Sequence, residues 1–246
     1  TSHNALQKMT SFTAILPEGK SGPFPVFYLL HGLSDDHTAW TRRTSIERYV
    51  QDLPLIVVMP NGERSFYSDS QAVPTSRFET FITQDLISFV DTTFNTIPLR
   101  EGRVVAGLSM GGYGAFKFAL KYPQLFGAAV SHSGALSRPT SILDNDDPDW
   151  VREMRAIFGD KAAGSDNDLY ALAEKIERAQ LPALRFDCGT EDFLIEHNRD
   201  FHRHLKALNI VHEYQEFSGE HNWEYWDEHI RETVRFFARH LELNGN

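Results

Sequence analysis

The chain is expected to fold as an α/β protein with a mostly parallel, doubly wound sheet, and two patterns predict it. Short continuous apolar runs, closed by Gly, Pro or Asp, read as strands buried on both faces. Between them lie stretches with apolar residues at three- and four-residue steps, the period of helices that cover such a sheet. A length of 246 residues with 41% hydrophobic content can bury a large core. No Pro-, Gly- or Ser-rich linker, low-complexity tract or solenoid-period repeat divides it, so one domain over residues 1–246 is the expectation.

In chain order, a segment around Ser11 to Leu16 predicts an antiparallel edge strand. Phe24 to His31, Leu55 to Pro60, Arg103 to Gly107, Ala128 to His132 and Ala183 to Cys188 are the buried runs, and His212 to Phe217 is the last strand-like segment. The stripe Phe78, Phe81, Ile82, Leu86, Phe89 and Val90 predicts a core-facing helix, as does Trp226, Ile230, Val234 and Phe237 near the C-terminus. From about Ala135 to Gln180 the rhythm breaks, with Pro139, an acidic Asp144-Asn145-Asp146-Asp147 cluster and a helical Asp168 to Glu177. This stretch is either a small helical cap over the site or a longer crossover on the sheet's flank. The acidic cluster does not have calcium-loop spacing and reads as a solvated turn.

A formal charge of -10 and a pI near 5.5 oppose binding to nucleic acid or to an anionic membrane surface. The longest apolar runs are strand-sized, too short to span a bilayer. The single cysteine, Cys188, allows no intrachain disulfide and fits a reducing compartment. The start, Thr1-Ser2-His3-Asn4, carries neither a basic stretch nor an apolar signal core. A cytoplasmic location is therefore expected, although the missing initiator methionine leaves a removed leader open.

The segment Gly107-Leu108-Ser109-Met110-Gly111 lies between Val104-Val105-Ala106 and the helix-like Gly112 to Leu120. That context makes it a nucleophile elbow, in which a serine sits on a sharp strand-to-helix turn. The amides at the start of the helix then point to where an oxyanion would form. Ligands in doubly wound sheets gather at the carboxyl ends of the strands, so the remaining groups are sought there.

A serine hydroxyl needs a neutral imidazole to take its proton, and the imidazole needs a carboxylate to hold its tautomer. In the α/β-hydrolase topology the order is Ser, acid, His. Asp192, in Gly189-Thr190-Glu191-Asp192, is the preferred acid; Glu191 is its competitor, and Asp187 lies inside the strand. Among 11 histidines, His221 stands in the loop between the last strand and the last helix and is the expected base. His197, His202, His204, His229 and His240 read as surface or capping residues. The oxyanion donors are expected to be the Met110 amide and the Leu33 amide of His31-Gly32-Leu33, with the His31 ring bracing that loop. This chemistry requires no metal and no organic cofactor.

Taken together, Leu29 to Asp36 with Trp40, Met59 to Tyr67, Gly107 to Gly112, Cys188 to Phe193 and His221-Asn222-Trp223 resemble the esterase D group of α/β-hydrolases. The nearest branch is similar to the tributyrin esterases, and the match covers nearly the whole chain in order. The resemblance implies a serine carboxylesterase acting on short acyl esters, small-molecule substrates, a triad at Ser109, Asp192 and His221, and a homo-oligomer. Related branches are S-formylglutathione hydrolases and feruloyl and acetyl xylan esterases. The formylglutathione branch usually carries Ser-Gly-Leu-Thr-Cys where this chain has His31-Gly32-Leu33-Ser34-Asp35, a departure that weighs against thioester substrates. Trp40, Tyr67 and Trp223 are candidates for the pocket wall or, equally, for the core. A noncatalytic protein on the same fold and an acyltransferase are the competing classes.

Overall fold

Residues Val26–Leu30, Ile56–Pro60 and Ala128–His132 are buried at every position. Such strands need an apolar layer on both sides. The computed structural model, which describes residues 5–137 and 145–243, supplies both layers. The strands are β1 (Phe12–Ile15), β2 (Val26–Leu30), β3 (Ile56–Pro60), β4 (Arg103–Leu108), β5 (Ala128–His132), β6 (Ala183–Gly189) and β7 (Glu213–Phe217). They form one sheet in the order β1-β3-β2-β4-β5-β6-β7. Strands β2 to β7 are parallel, and β1 pairs antiparallel with β3, Phe12 opposite Pro60.

Side chains alternate between the two layers with the strand period of two. On one face Phe27, Leu29, Val57, Met59, Val104 and Ala106 pack with α1 (Ala39–Arg43), α2 (Ile46–Val50) and α9 (Trp223–His240). On the other, Val26, Tyr28, Leu30, Val105 and Phe186 pack with α3 (Phe78–Thr80), α4 (Ile87–Thr93), α5 (Met110–Lys121) and α8 (Ile195–Ala207). Two further helices, α6 (Pro148–Phe158) and α7 (Leu169–Lys175), join this second layer. No helix among the described residues is long and apolar enough to cross a membrane.

The C-terminal stripe behaves as expected, with Trp226, Ile230, Val234 and Phe237 buried along α9. The stripe at 78–90 does not run as one regular helix. A π-helical turn over Phe81–Leu86 joins α3 to α4, and its wider winding shifts the face that follows. Ile87 is buried there, whereas Phe89 is 42% exposed and rests edge-on against Phe12. Within the irregular stretch, Asp147 caps α6 by accepting the Asp149 N–H, and Asp168 caps α7. Pro139 and Asp144 lie outside the described residues.

Buried ionic networks sit among these apolar layers. On α5, the Lys117 ammonium is 2.8 Å from Glu79 and 2.6 Å from the Ser68 hydroxyl, while Lys121 lies 2.7 Å from the same carboxylate. Burial draws Lys117 down to about 8. Burial alone would raise Glu79, but Lys117 and Lys121 outweigh it and hold the carboxyl at about 2. On β6, Asp187 accepts from Arg185 and from the Tyr225 hydroxyl and pairs with His132.

Asp187 provides a stability test. Burial would raise its carboxyl, but His132 and Arg185 outweigh burial and lower it from 3.8 to about 2. A carboxylate depressed on folding stabilises above its unfolded value, and that contribution disappears as pH falls through the folded one. Asp187→Asn leaves the Arg185 guanidinium buried without its carboxylate, which should cost on the order of 3 kcal/mol at pH 7. In urea unfolding, the gap between wild type and variant should narrow as pH is lowered from about 4 towards 2. A gap that stayed constant over that interval would contradict the assignment.

Candidate active site

Strand β4 ends at Leu108 and α5 begins at Met110, so Ser109 alone reverses the chain. Its φ of 53° and ψ of -115° lie where side-chain-bearing residues are strained. The surroundings hold it there. Its N–H donates to the His132 carbonyl at 2.9 Å, and its own carbonyl accepts from Tyr113 and Ala135 at 3.1 Å each. A Cβ on Gly107 would lie 2.4 Å from the Gly111 backbone, and one on Gly111 would lie 2.6 Å and 2.7 Å from the Leu30 and His31 carbonyl oxygens. The helix start therefore presses directly on the end of β2.

His221 brings Nε2 to 3.1 Å from Ser109 Oγ and Nδ1 to 2.8 Å from Asp192 Oδ2. The other Asp192 oxygen accepts the Leu194 N–H at 2.8 Å. Burial pushes the Asp192 carboxyl up, but the bonds from His221, the Leu194 amide and the Ser133 hydroxyl outweigh it and hold the group below its ordinary value. An ionised Asp192 accepting the Nδ1 proton leaves the Nε2 lone pair facing the serine hydroxyl. The imidazole is also held between the Phe193 ring at 4.6 Å and the Trp226 ring at 4.9 Å.

Glu191 turns away from the imidazole. Its carboxylate accepts from the Gly219 N–H and the Thr190 hydroxyl, bracing the loop that carries His221. Of the other histidines, His229 stacks on Phe217 at 4.2 Å, and His202 and His212 bond to each other at 2.8 Å. Among the described residues no group of three or more His, Cys, Asp or Glu could hold a metal ion.

The turn after β2 lies against Ser109: a Cβ on Gly32 would be 3.7 Å from the Ser109 Cβ. His31 donates from Nδ1 to the Gly32 carbonyl at 2.7 Å and accepts the Gly62 N–H at Nε2 at 2.8 Å. Both bonds together need a neutral ring, and burial lowers the His31 pKa accordingly. Met110 opens α5, where the first amides have no acceptor within the helix.

A cavity of about 630 Å³ reaches Ser109, Leu33 and Met110. Its walls include Phe66, Tyr113, Trp150, Met154 and Phe158. The Phe66 ring is 5.9 Å from Tyr113, 6.0 Å from Trp150 and 5.7 Å from Phe158. Helix α6 thus contributes to the same cavity as the serine. Trp40 and Tyr67, by contrast, are buried in the core and are not among the cavity walls. The Trp40 indole donates to the Leu30 carbonyl and the Tyr67 hydroxyl to the His31 carbonyl, so both support the turn from behind. Trp223 packs against Trp40 and Trp226 and also lies outside the walls.

The cavity includes one histidine that sequence reasoning passed over. His197 lines it, with Nδ1 buried and lacking a hydrogen-bond partner. Its nearness to Asp192, on the helix leaving the same strand end, was the available signal.

The family model described as "Putative esterase" matches residues 3–237. An acetyl esterase from Caldicellulosiruptor saccharolyticus is 31% identical over 252 aligned positions, covering 95% of this chain and 94% of the relative.

The chain belongs to the esterase family. It is a carboxylic ester hydrolase, in accord with the motif resemblance to the esterase D group. Two solved structures share the α/β-hydrolase fold closely. Fluorophosphonate-binding serine hydrolase F from Staphylococcus aureus, in a substrate-bound state, is 32% identical with a TM-score of 0.81, over 91% of this chain and 90% of that one. The S-formylglutathione hydrolase of the same organism is 32% identical with a TM-score of 0.80, over 93% and 92%.

The contact between Gly111 and the end of β2 can be tested in this esterase. Gly111→Ala must displace a backbone carbonyl, an overpacking that should cost about 1–3 kcal/mol and lower Tm by roughly 2–12 °C. Thermal unfolding of the variant checks this, and an unchanged Tm would mean that α5 can move off β2 freely.

Proposed function

We propose that the chain is a serine carboxylesterase for short-chain acyl esters, working through Ser109, His221 and Asp192 by an acyl-enzyme. The observation that carries the reading is the unbroken hydrogen-bond chain from Ser109 Oγ to His221 at 3.1 Å and on to Asp192 at 2.8 Å. Ser109 Oγ attacks the ester carbonyl carbon while His221 Nε2 takes the hydroxyl proton, and Asp192 offsets the imidazolium charge. The Leu33 and Met110 amides hold the tetrahedral oxyanion. His221 returns the proton to the departing alkoxide, and the alcohol leaves. Water, deprotonated by His221, then attacks the acyl-enzyme carbonyl; the bond to Ser109 Oγ breaks, His221 returns the proton to Oγ, and the acid is released.

The cavity of about 630 Å³ must hold both the acyl chain and the leaving group, and its aromatic walls favour an apolar acyl part. In this reading the stretch from 135 to 180 acts as a cap, supported by the place of Trp150, Met154 and Phe158 in the cavity wall. The substrate is a small-molecule ester.

A p-nitrophenyl ester series, from acetate to longer chains and including a feruloyl ester, tests the proposal on wild type beside Ser109→Ala. Turnover should be fastest for short chains and fall by at least about 1,000-fold in the variant, which should stay folded. Undiminished turnover by Ser109→Ala would overturn the nucleophile assignment. Preference for the feruloyl ester would overturn the short-chain assignment.

A further inference from the structure

We propose that Arg64 is a positioning residue: it latches helix α6 to the turn that carries the Leu33 amide, coupling the acyl wall of the cavity to the oxyanion site. The inference rests on the reading of Leu33 as an oxyanion donor and of the cavity as the acyl site. Arg64 divides one planar guanidinium between two elements. Nε and Nη2 donate to the two carboxylate oxygens of Glu153 on α6, each at 2.7 Å, and Nη1 donates to Ser34 Oγ at 2.7 Å. A lysine could not reproduce this planar fork.

Each end of the fork is next to a residue of the site. Ser34 directly follows Leu33, and it holds a left-handed backbone with φ of 68°. A nonglycine residue stays there only if its surroundings hold it. Glu153 precedes Met154 and is one turn from Trp150, both in the cavity wall.

The arm that carries Arg64 is itself fixed to the oxyanion turn. Gly62 donates to the His31 ring at 2.8 Å, Ser65 Oγ donates back to the Gly62 carbonyl at 2.6 Å, and the Tyr67 hydroxyl donates to the His31 carbonyl at 3.0 Å. Arg64 therefore belongs mechanically to the turn. The C-terminal end of α6 is anchored separately, by the Gln71 and Ala72 amides donating to the Ile157 and Ala156 carbonyls at 3.1 Å and 3.0 Å. Towards its other end, α6 is tied down by the Glu153 fork and by Trp150 against Phe66. Release of the fork would let α6 swing about its C-terminal anchor.

The Arg64 and Glu153 side chains are 46% and 30% exposed. A pair this exposed contributes little to global stability and is sensitive to salt. Arg64→Met should therefore leave Tm within about 2 °C of wild type. Displacements of an ångström at a reacting centre have large kinetic effects, so kcat should fall several-fold for every ester, and KM for hexanoate should rise about tenfold more than KM for acetate. The two halves of the latch separate by mutation. Glu153→Gln should reproduce the chain-length-dependent KM effect and spare kcat on acetate. Ser34→Ala should lower kcat and leave the KM ratio alone. In wild type, about 1 M NaCl should raise the hexanoate KM relative to acetate, and Arg64→Met should lack that response.

Unchanged kcat and KM ratios in a folded Arg64→Met would overturn the proposal, as would kinetic losses that merely follow a fall in Tm. Should Arg64→Met fail to fold, an unchanged KM ratio in Glu153→Gln would also overturn it. Ser109→Ala is assayed alongside, so that failure of the serine mechanism is distinguishable from failure of the latch.

Discussion

The close approach of α5 to the end of β2 is the constraint on which the site depends. Ser109 occupies a backbone region that costs on the order of 1–3 kcal/mol. It stays there because Gly107 and Gly111 touch and because Gly111 lies against the Leu30 and His31 carbonyls. Any larger side chain at either glycine would separate the elbow from the turn after β2. That single contact sets Ser109, the first amides of α5 and the Gly32-Leu33 turn in one frame. His31 then extends the frame to Gly62, and Tyr67 closes it from behind.

Among the described residues are two hydroxyl–imidazole–carboxylate chains, and their contrast shows what distance alone does not decide. His132 lies 2.9 Å from Asp187 and 2.6 Å from the Thr233 hydroxyl, a carboxylate contact nearly as short as that of His221 and a shorter hydroxyl contact. Yet His132, Asp187 and Thr233 are fully buried. No substrate can reach that threonine, and Asp187 is further neutralised by Arg185 and bonded by Tyr225. The His221 chain ends instead on a serine that lines a cavity. Access, not hydrogen bonding, separates the two arrangements.

Much of this architecture was visible in the residues themselves. Continuous apolar runs such as Val26–Leu30 could be buried on both faces only in a covered parallel sheet, and the loop positions of Asp192 and His221 followed from the strand order. Other features depend on packing that no local pattern encodes. The π-helical turn at Phe81–Leu86 changed the helical period, so Phe89 reached solvent although its spacing matched the stripe. Trp40 and Tyr67 lay in motifs close to the site, but their polar tips serve backbone carbonyls and their rings fill the core. His197 looked like an ordinary residue at a helix start, and its place in the cavity wall comes from tertiary packing that no local pattern encodes.

Phe66 explains why chain length and spacing do not encode the shape of the cavity. Its φ of 49° aims the ring by a left-handed backbone rather than by any strand or helix period. From there it meets Tyr113 of α5 and both Trp150 and Phe158 of α6. The pocket is thus joined at one ring supplied by a loop, whereas the elbow is set by glycine contacts within the sheet layer. Substitution at Phe66 or on α6 can reshape the cavity wall without touching the contact between Gly111 and β2. The Ser109 elbow and the cavity wall therefore rest on different contacts, and α6 meets the elbow and its neighbouring turn through Arg64 and the rings around Phe66.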